Sequence, residues 1–279
     1  MMDWNNPNPQ HIQIGTTKLE AQCFGPPPSN APTIIMLHEG LGCIALWRDF
    51  PSRLAEATGY GVLAYSRAGY GGSDGSPPPK PLDYMTREAM DVLPLVLDQI
   101  GFQRGILLGH SDGASIVTIY AGSTEDMRIR GLVLMAPHFF TEPVGLTAIK
   151  AAKEIYETGD LKQKLAKYHT HVDDAFYGWN GAWLDDDFKD WNIAENIDYL
   201  RIPVLGIQGR NDEYGTLAQL DELEARLYSP FDCAILEDCK HSPHLEKADE
   251  TLGVITEFCQ RLERLERELV STSNAAPSQ

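Results

Sequence analysis

Positive charge is scarce in this chain: 23 Lys plus Arg stand against 40 Asp plus Glu in 279 residues, a formal net charge of −17. Lys and Arg gather nowhere into a run, so the chain offers no electrostatic footprint to a phosphate backbone, and nucleic acid is not an expected partner. Long apolar runs are missing as well. Nothing approaches the roughly 20 residues that cross a bilayer. The opening MMDWNNPNPQ has neither the basic start nor the apolar stretch of a signal peptide, so a cytoplasmic protein with no membrane partner is expected. Cysteines are few. Cys23, Cys43, Cys233, Cys239 and Cys259 are odd in number and lack CxxC spacing, a pattern of reduced thiols rather than of a disulfide framework or zinc site. There is no P-loop, no G-x-G-x-x-G and no H-E-x-x-H. His169-Thr170-His171 and the pair His241, His244 are weak metal signals alone, and neither metal nor cofactor is expected.

What is present, 43% hydrophobic and 23% charged residues, suits a soluble globular protein with a large core. Strand-like stretches from His11 to Gly15 and from Leu19 to Phe24 lead into a Pro-rich turn from Gly25 to Pro32. Thr33 to Leu37 is a short continuous apolar run, as a buried parallel strand should be, and Gly61 to Tyr65, Gly105 to Leu108, Gly131 to Met135, Pro203 to Ile207 and Cys233 to Leu236 read as further short strands. Helical spacing lies between them: Trp47 to Thr58, Thr86 to Ile100 despite Pro94, Ala114 to Ala121, Leu217 to Leu227 and about Glu246 to Leu269. In the last, Leu262, Leu265 and Leu269 share a face that should dock on the sheet rather than form a dimer seam. The alternation predicts an α/β fold, a mostly parallel twisted sheet with helices on both faces. Residues 139–197 break it with amphipathic segments rich in aromatics, an inserted helical cap. The core therefore divides into 11–138 and 198–270, with 271–279 a disordered polar tail.

The most specific motif is Gly109-His110-Ser111-Asp112-Gly113, a G-x-S-x-G between an apolar strand and a helix. A turn this tight holds Ser111 at the strand's carboxyl end with its hydroxyl in a cleft, and brings the Asp112 amide beside that oxygen. A serine in this position is a nucleophile if a base takes its proton, and imidazole can do so near neutrality. An aspartate is then needed to fix the imidazole tautomer and to stabilise the imidazolium.

With these residues the sequence resembles the α/β-hydrolase superfamily from about Gly15 to Leu269. The resemblance implies an acid and a histidine after the nucleophile, in that order, each in a loop behind a later strand. Asp212, in Gly206-Ile207-Gln208-Gly209-Arg210-Asn211-Asp212, matches the acid. His241, in Cys239-Lys240-His241-Ser242-Pro243-His244-Leu245-Glu246, matches the histidine of G-H-x-P-x-x-E, with Lys240 in place of the glycine. His244 is the rival base; from its place beside Glu246 it is expected instead to hydrogen-bond locally and tie down the loop. The family's His-Gly-x turn corresponds to His38-Glu39-Gly40-Leu41-Gly42, which places the second oxyanion donor at the Gly40 amide, with Leu41 next. Glu39 departs from the pattern: it either contacts substrate or water, or forms a structural salt bridge, for example to Arg67, and the bridge is the preferred expectation. Leu41, Trp179 and Trp183 are expected in an apolar pocket.

The resemblance implies a cofactor-independent serine hydrolase of a small, mostly apolar ester or lactone, working through an acyl-enzyme. The same triad also serves C–C bond hydrolysis of β-diketones or ring-fission products, and a hydrolase-fold ligand receptor is the alternative of another class. A haloalkane dehalogenase is disfavoured, because that version carries a carboxylate where Ser111 stands. The partner implied is a small-molecule substrate; oligomeric state is not legible.

Overall fold

The computed structural model describes residues 2–274, with side chains to residue 268. Eight strands form one sheet in the order β1-β2-β4-β3-β5-β6-β7-β8. They are β1 Gln10–Ile14, β2 Thr17–Phe24, β3 Thr33–Leu37, β4 Gly61–Tyr65, β5 Gly105–His110, β6 Ile129–Met135, β7 Val204–Gly209 and β8 Phe231–Leu236. The β1–β2 and β2–β4 pairs are antiparallel; β4, β3, β5, β6, β7 and β8 run parallel.

The apolar runs work in both directions. Along β3, Ile35 and Leu37 join one core cluster while Ile34 and Met36 join the other, and β6 divides Leu132 and Leu134 from Val133 and Met135 in the same way. Side chains alternate across a strand, so both faces must be covered, which is why every residue of these strands except Arg130 is buried. α1 (Phe50–Thr58) covers the second face with Phe50 and Leu54. α2 (Tyr84–Arg87) continues through a π-helical turn, Glu88–Val92, into α3 (Leu93–Gln99), whose Leu93, Val96 and Leu97 cover the first face. α4 (Asp112–Ser123) packs beside it through Ile116, Ile119 and Tyr120. The expected single helix from Thr86 to Ile100 is thus widened in the middle: Pro94 has no N–H for the preceding turn, and the wider turn absorbs that loss. The helix expected from Trp47 begins at Phe50, after a short 3₁₀ turn, Ile44–Trp47.

Between β6 and β7 the chain forms α5 (Pro143–Thr158), α6 (Leu161–Leu165) and α7 (Val172–Trp183), then a 3₁₀ turn, Ala194–Tyr199. The aromatics here pack on one another: Tyr156 stacks on Phe176 at 3.6 Å and Phe188 on Trp191 at 5.2 Å between centroids. α8 (Ala218–Arg226), α9 (Pro243–Glu246) and α10 (Ala248–Asn274) complete the fold. α10 docks through Ile255, Phe258, Cys259 and Leu262, whereas Leu265 is exposed, because in the next turn it is Glu266 that reaches the sheet, where it pairs with Arg130 of β6 at 2.8 Å. It also continues through residues 271–274, where a disordered tail was expected. An Arg267–Glu263 pair one turn apart supports this extension, and residues 275–279 lie outside the described part.

Candidate active site

Ser111 sits between β5 and α4 with φ 54° and ψ −117°, a backbone region that a non-glycine residue enters only when its surroundings impose it. Two bonds impose it here. The Ser111 amide donates to the Met135 carbonyl at 2.9 Å, and the Ser111 carbonyl accepts from the Ala114 amide at 2.8 Å. Gly113 is needed because a methyl group there would overlap the Leu37 carbonyl of β3. The turn therefore packs directly against the neighbouring strand, with Ser111 at its apex.

Asp212 and His241 come from the loops after β7 and β8. His241 Nδ1 donates to the Asp212 carboxylate, 2.9 Å from Oδ1 and 2.8 Å from Oδ2. The carboxylate is fixed in turn: Oδ2 accepts from Gln208 Nε2 at 2.7 Å, and Oδ1 from the Tyr214 amide at 2.8 Å. Burial pushes the Asp212 carboxyl up, but the His241 and Tyr214 bonds outweigh it and hold it below the ordinary value. Burial pushes His241 down, and the hydrogen bond and charge of Asp212 more than reverse this, so its pKa is raised.

Ser111, Asp112, His241, Glu39, Gly40, Leu41, Trp179 and Trp183 all line one cavity of about 220 Å³. Asp212 stands behind His241, its side chain almost wholly covered. Trp179 packs against Gly40 so closely that any side chain there would collide with its indole. Among the described residues, the backbone amides of Gly40, Leu41 and Asp112 make no backbone hydrogen bond. Trp183 Nε1 is 3.2 Å from Asp112 Oδ1, and Tyr84 donates its hydroxyl to Oδ2 at 2.6 Å.

Two expectations are corrected. The Glu39 carboxylate does not pair with Arg67. Arg67 donates instead to the backbone carbonyls of His38 (2.6 Å) and Glu39 (3.0 Å), and its charge faces Asp112 at 3.8 Å. The Glu39 carboxylate turns the other way, to His110 Nδ1 at 3.4 Å. Nor does His244 tie down its loop. It is buried, 4.6 Å from the Trp47 ring, with no partner for Nδ1 among the described residues, while Glu246 takes the Lys240 and Ser242 amides at 2.9 and 3.0 Å. A carboxylate at the start of a helix is better suited to two amides than an imidazole is. His169 is occupied too: Nδ1 accepts from the Gly71 amide and Nε2 donates to the Leu41 carbonyl, both at 3.0 Å.

The cavity also contains residues not singled out from sequence: His138, Ile149, Glu213, Tyr214, Ser242 and Glu246. His138 follows β6, and burial, then the neighbouring His241, lowers its pKa to about 3, leaving a neutral ring. Its position at a strand's carboxyl end was the available signal, since open α/β sheets build their sites there.

The arrangement brings a serine, an aspartate-paired imidazole and backbone amides to one cavity. The Alpha/beta hydrolase family model matches residues 34–254. The chain is 30% identical over 268 residues to epoxide hydrolase 3 of Xenopus tropicalis, covering 81% of this chain and 71% of that protein. Another curated relative is matched over only 34% of its own length. Among solved structures, the enol-lactonase from Burkholderia xenovorans LB400 superposes with a TM-score of 0.71 at 20% identity, covering 90% of this chain and all of that one (100%). The 2-hydroxy-6-oxo-6-phenylhexa-2,4-dienoate hydrolase from Rhodococcus sp. strain RHA1 gives 0.72 at 18% identity, covering 90% and 97%. With a family match across most of its length, a mostly parallel eight-stranded sheet and a serine at the turn after β5, the chain belongs to the alpha/beta hydrolase family.

Proposed function

We propose that the chain is a cofactor-independent serine hydrolase of small, mostly apolar carboxylic esters or lactones. The observation that carries this reading is the 2.8 Å Asp212–His241 pair, whose imidazole lines the same cavity as the strained Ser111 turn. Ser111 attacks the carbonyl carbon while His241 takes the hydroxyl proton, and Asp212 holds the ring and stabilises the imidazolium. The unpaired amides of Gly40 and Asp112 receive the negative charge that develops on the carbonyl oxygen. His241 returns its proton to the departing alkoxide, leaving an acyl-Ser111 ester. Water, deprotonated by His241, then releases the acid.

Helices α5 to α7 act as a cap in this reading, with Ile149, Trp179 and Trp183 supplying apolar walls. Charge argues against the C–C bond alternative. Glu39, Glu213 and Glu246 line the cavity with no Lys or Arg among the lining residues. The Rhodococcus protein is named for a dienoate; such a carboxylate would face these three like charges here. Four of the five free cysteines are buried, which suits a reducing, cytoplasmic setting, and among the described residues no helix is long and apolar enough to cross a membrane.

The test compares wild type with Ser111→Ala on short p-nitrophenyl esters, lactones, vinylogous diketones and epoxides. The reading expects ester or lactone turnover that Ser111→Ala abolishes. Exclusive turnover of diketones or epoxides, or undiminished ester turnover by the variant, would overturn it.

A further inference from the structure

Glu39 and His110 flank Ser111, one on the loop after β3 and the other at the end of β5. His110 is fully buried, and its Nε2 is 2.7 Å from the backbone carbonyl oxygen of His241. A carbonyl only accepts, so that nitrogen carries a proton. Nδ1 is then the one ring atom left for Glu39, whose Oε2 faces it at 3.4 Å, and it has no hydrogen-bond partner in the structure. The His110 ring is fixed further by His244 and His241, with centroids at 5.0 and 5.1 Å.

From these contacts, and resting on His241 being the base, we infer that Glu39 and His110 are positioning residues: a second carboxylate–imidazole pair that grips the His241 backbone as Asp212 grips its ring. Glu39 thereby has two effects. It orients His110, and its negative charge favours the imidazolium that His241 becomes during attack. The groups facing His241 are Asp212, Glu213 and Tyr214 from the loop after β7, His138 from the loop after β6, His244 from α9, His110 and Glu39. Glu39→Gln removes one negative charge and leaves Asp212 and Glu213.

The experiment measures kcat and KM against pH on a neutral p-nitrophenyl ester for wild type, Glu39→Gln, Glu39→Asp, His110→Asn, His110→Ala and the double variant Glu39→Gln/His110→Asn. Glu39→Gln is expected to lower kcat about tenfold with KM within about twofold, and to move the acid limb of kcat/KM to lower pH. Glu39→Asp should keep that limb. His110→Asn, whose amide can still donate to the His241 carbonyl, should retain more activity than His110→Ala, and the double variant should be no worse than its worse parent. An unchanged acid limb and kcat in Glu39→Gln, with only KM raised, would make Glu39 a substrate contact and overturn the inference. If the His110 variants fail to fold, the two Glu39 variants decide alone. His241→Ala, run in parallel, separates the levels: surviving activity overturns the base assignment itself, whereas lost activity beside a wild-type Glu39→Gln overturns only the second pair.

Discussion

Trp183, on α7, reaches Asp112, the residue that follows Ser111: its Nε1 lies 3.2 Å from Oδ1 and 3.1 Å from the Tyr84 hydroxyl. Helix α7 and the turn at Ser111 thus share one buried carboxylate, with the Arg67 charge 3.8 Å away. Trp183→Phe keeps the ring but removes a donor, and should lower unfolding stability by about 1–2 kcal/mol in urea titrations. Tyr84→Phe removes the shorter bond to the same charge and should lose about 1.5–3 kcal/mol. No loss in either variant would contradict the shared-carboxylate network.

Several buried histidines make stability depend on pH. Burial lowers His138 and His244 to about 3, and lowers His169. In the unfolded chain each takes a proton below about 6.5, so from there down to about 3 the unfolded state binds more protons and stability falls as pH falls. His241, raised, acts the other way: its contribution is present below about 6.5 and lost as pH rises through its folded value. The lowered rings outnumber it. The unfolding free energy from urea titrations should drop between pH 7.5 and 5, on the order of 1–2 kcal/mol per buried ring, and His244→Met should flatten the slope. A midpoint that rises on acidification would contradict this.

The two histidines of the loop after β8 should separate kinetically. His241→Ala is expected to lower kcat by several orders of magnitude with stability largely kept, and Asp212→Asn by about 10⁴. His244→Ala leaves a hole against Trp47 and Phe50, and should lose about 2–3 kcal/mol of stability while keeping most of kcat. Because Asp212 raises the His241 pKa, the acid limb of kcat/KM in wild type should lie above about 6.5. The reverse pattern would transfer the base role to His244.

Charge in the cavity sets a substrate preference. A neutral butanoate ester should exceed a succinate half-ester of the same alcohol by about tenfold or more in kcat/KM, because Glu39, Glu213 and Glu246 repel the free carboxylate. Added salt should narrow the ratio. Equal rates at low ionic strength would remove electrostatics from the specificity.

The strand order along the chain was legible because the central strands are buried on both faces and read as unbroken apolar runs; Thr33–Leu37 and Gly61–Tyr65 have the same bounds in sequence and structure. Ser111, Asp212 and His241 could be picked out because each follows a strand within a short, recognisable loop. Glu39 could not be resolved that way. Its choice of His110 over Arg67 depends on side-chain direction across two loops, and Arg67 is drawn off by backbone carbonyls that no pattern displays. His244 was misplaced for a related reason: proximity to Glu246 in sequence says nothing of the Trp47 and Phe50 rings that the fold brings against it.

Labelling with a fluorophosphonate followed by mass spectrometry decides whether Ser111 is a nucleophile activated by His241. One phosphonyl adduct per chain is expected, located on the peptide carrying Ser111, absent in Ser111→Ala and formed far more slowly in His241→Ala. An adduct elsewhere, none at all, or unchanged labelling in His241→Ala would contradict it.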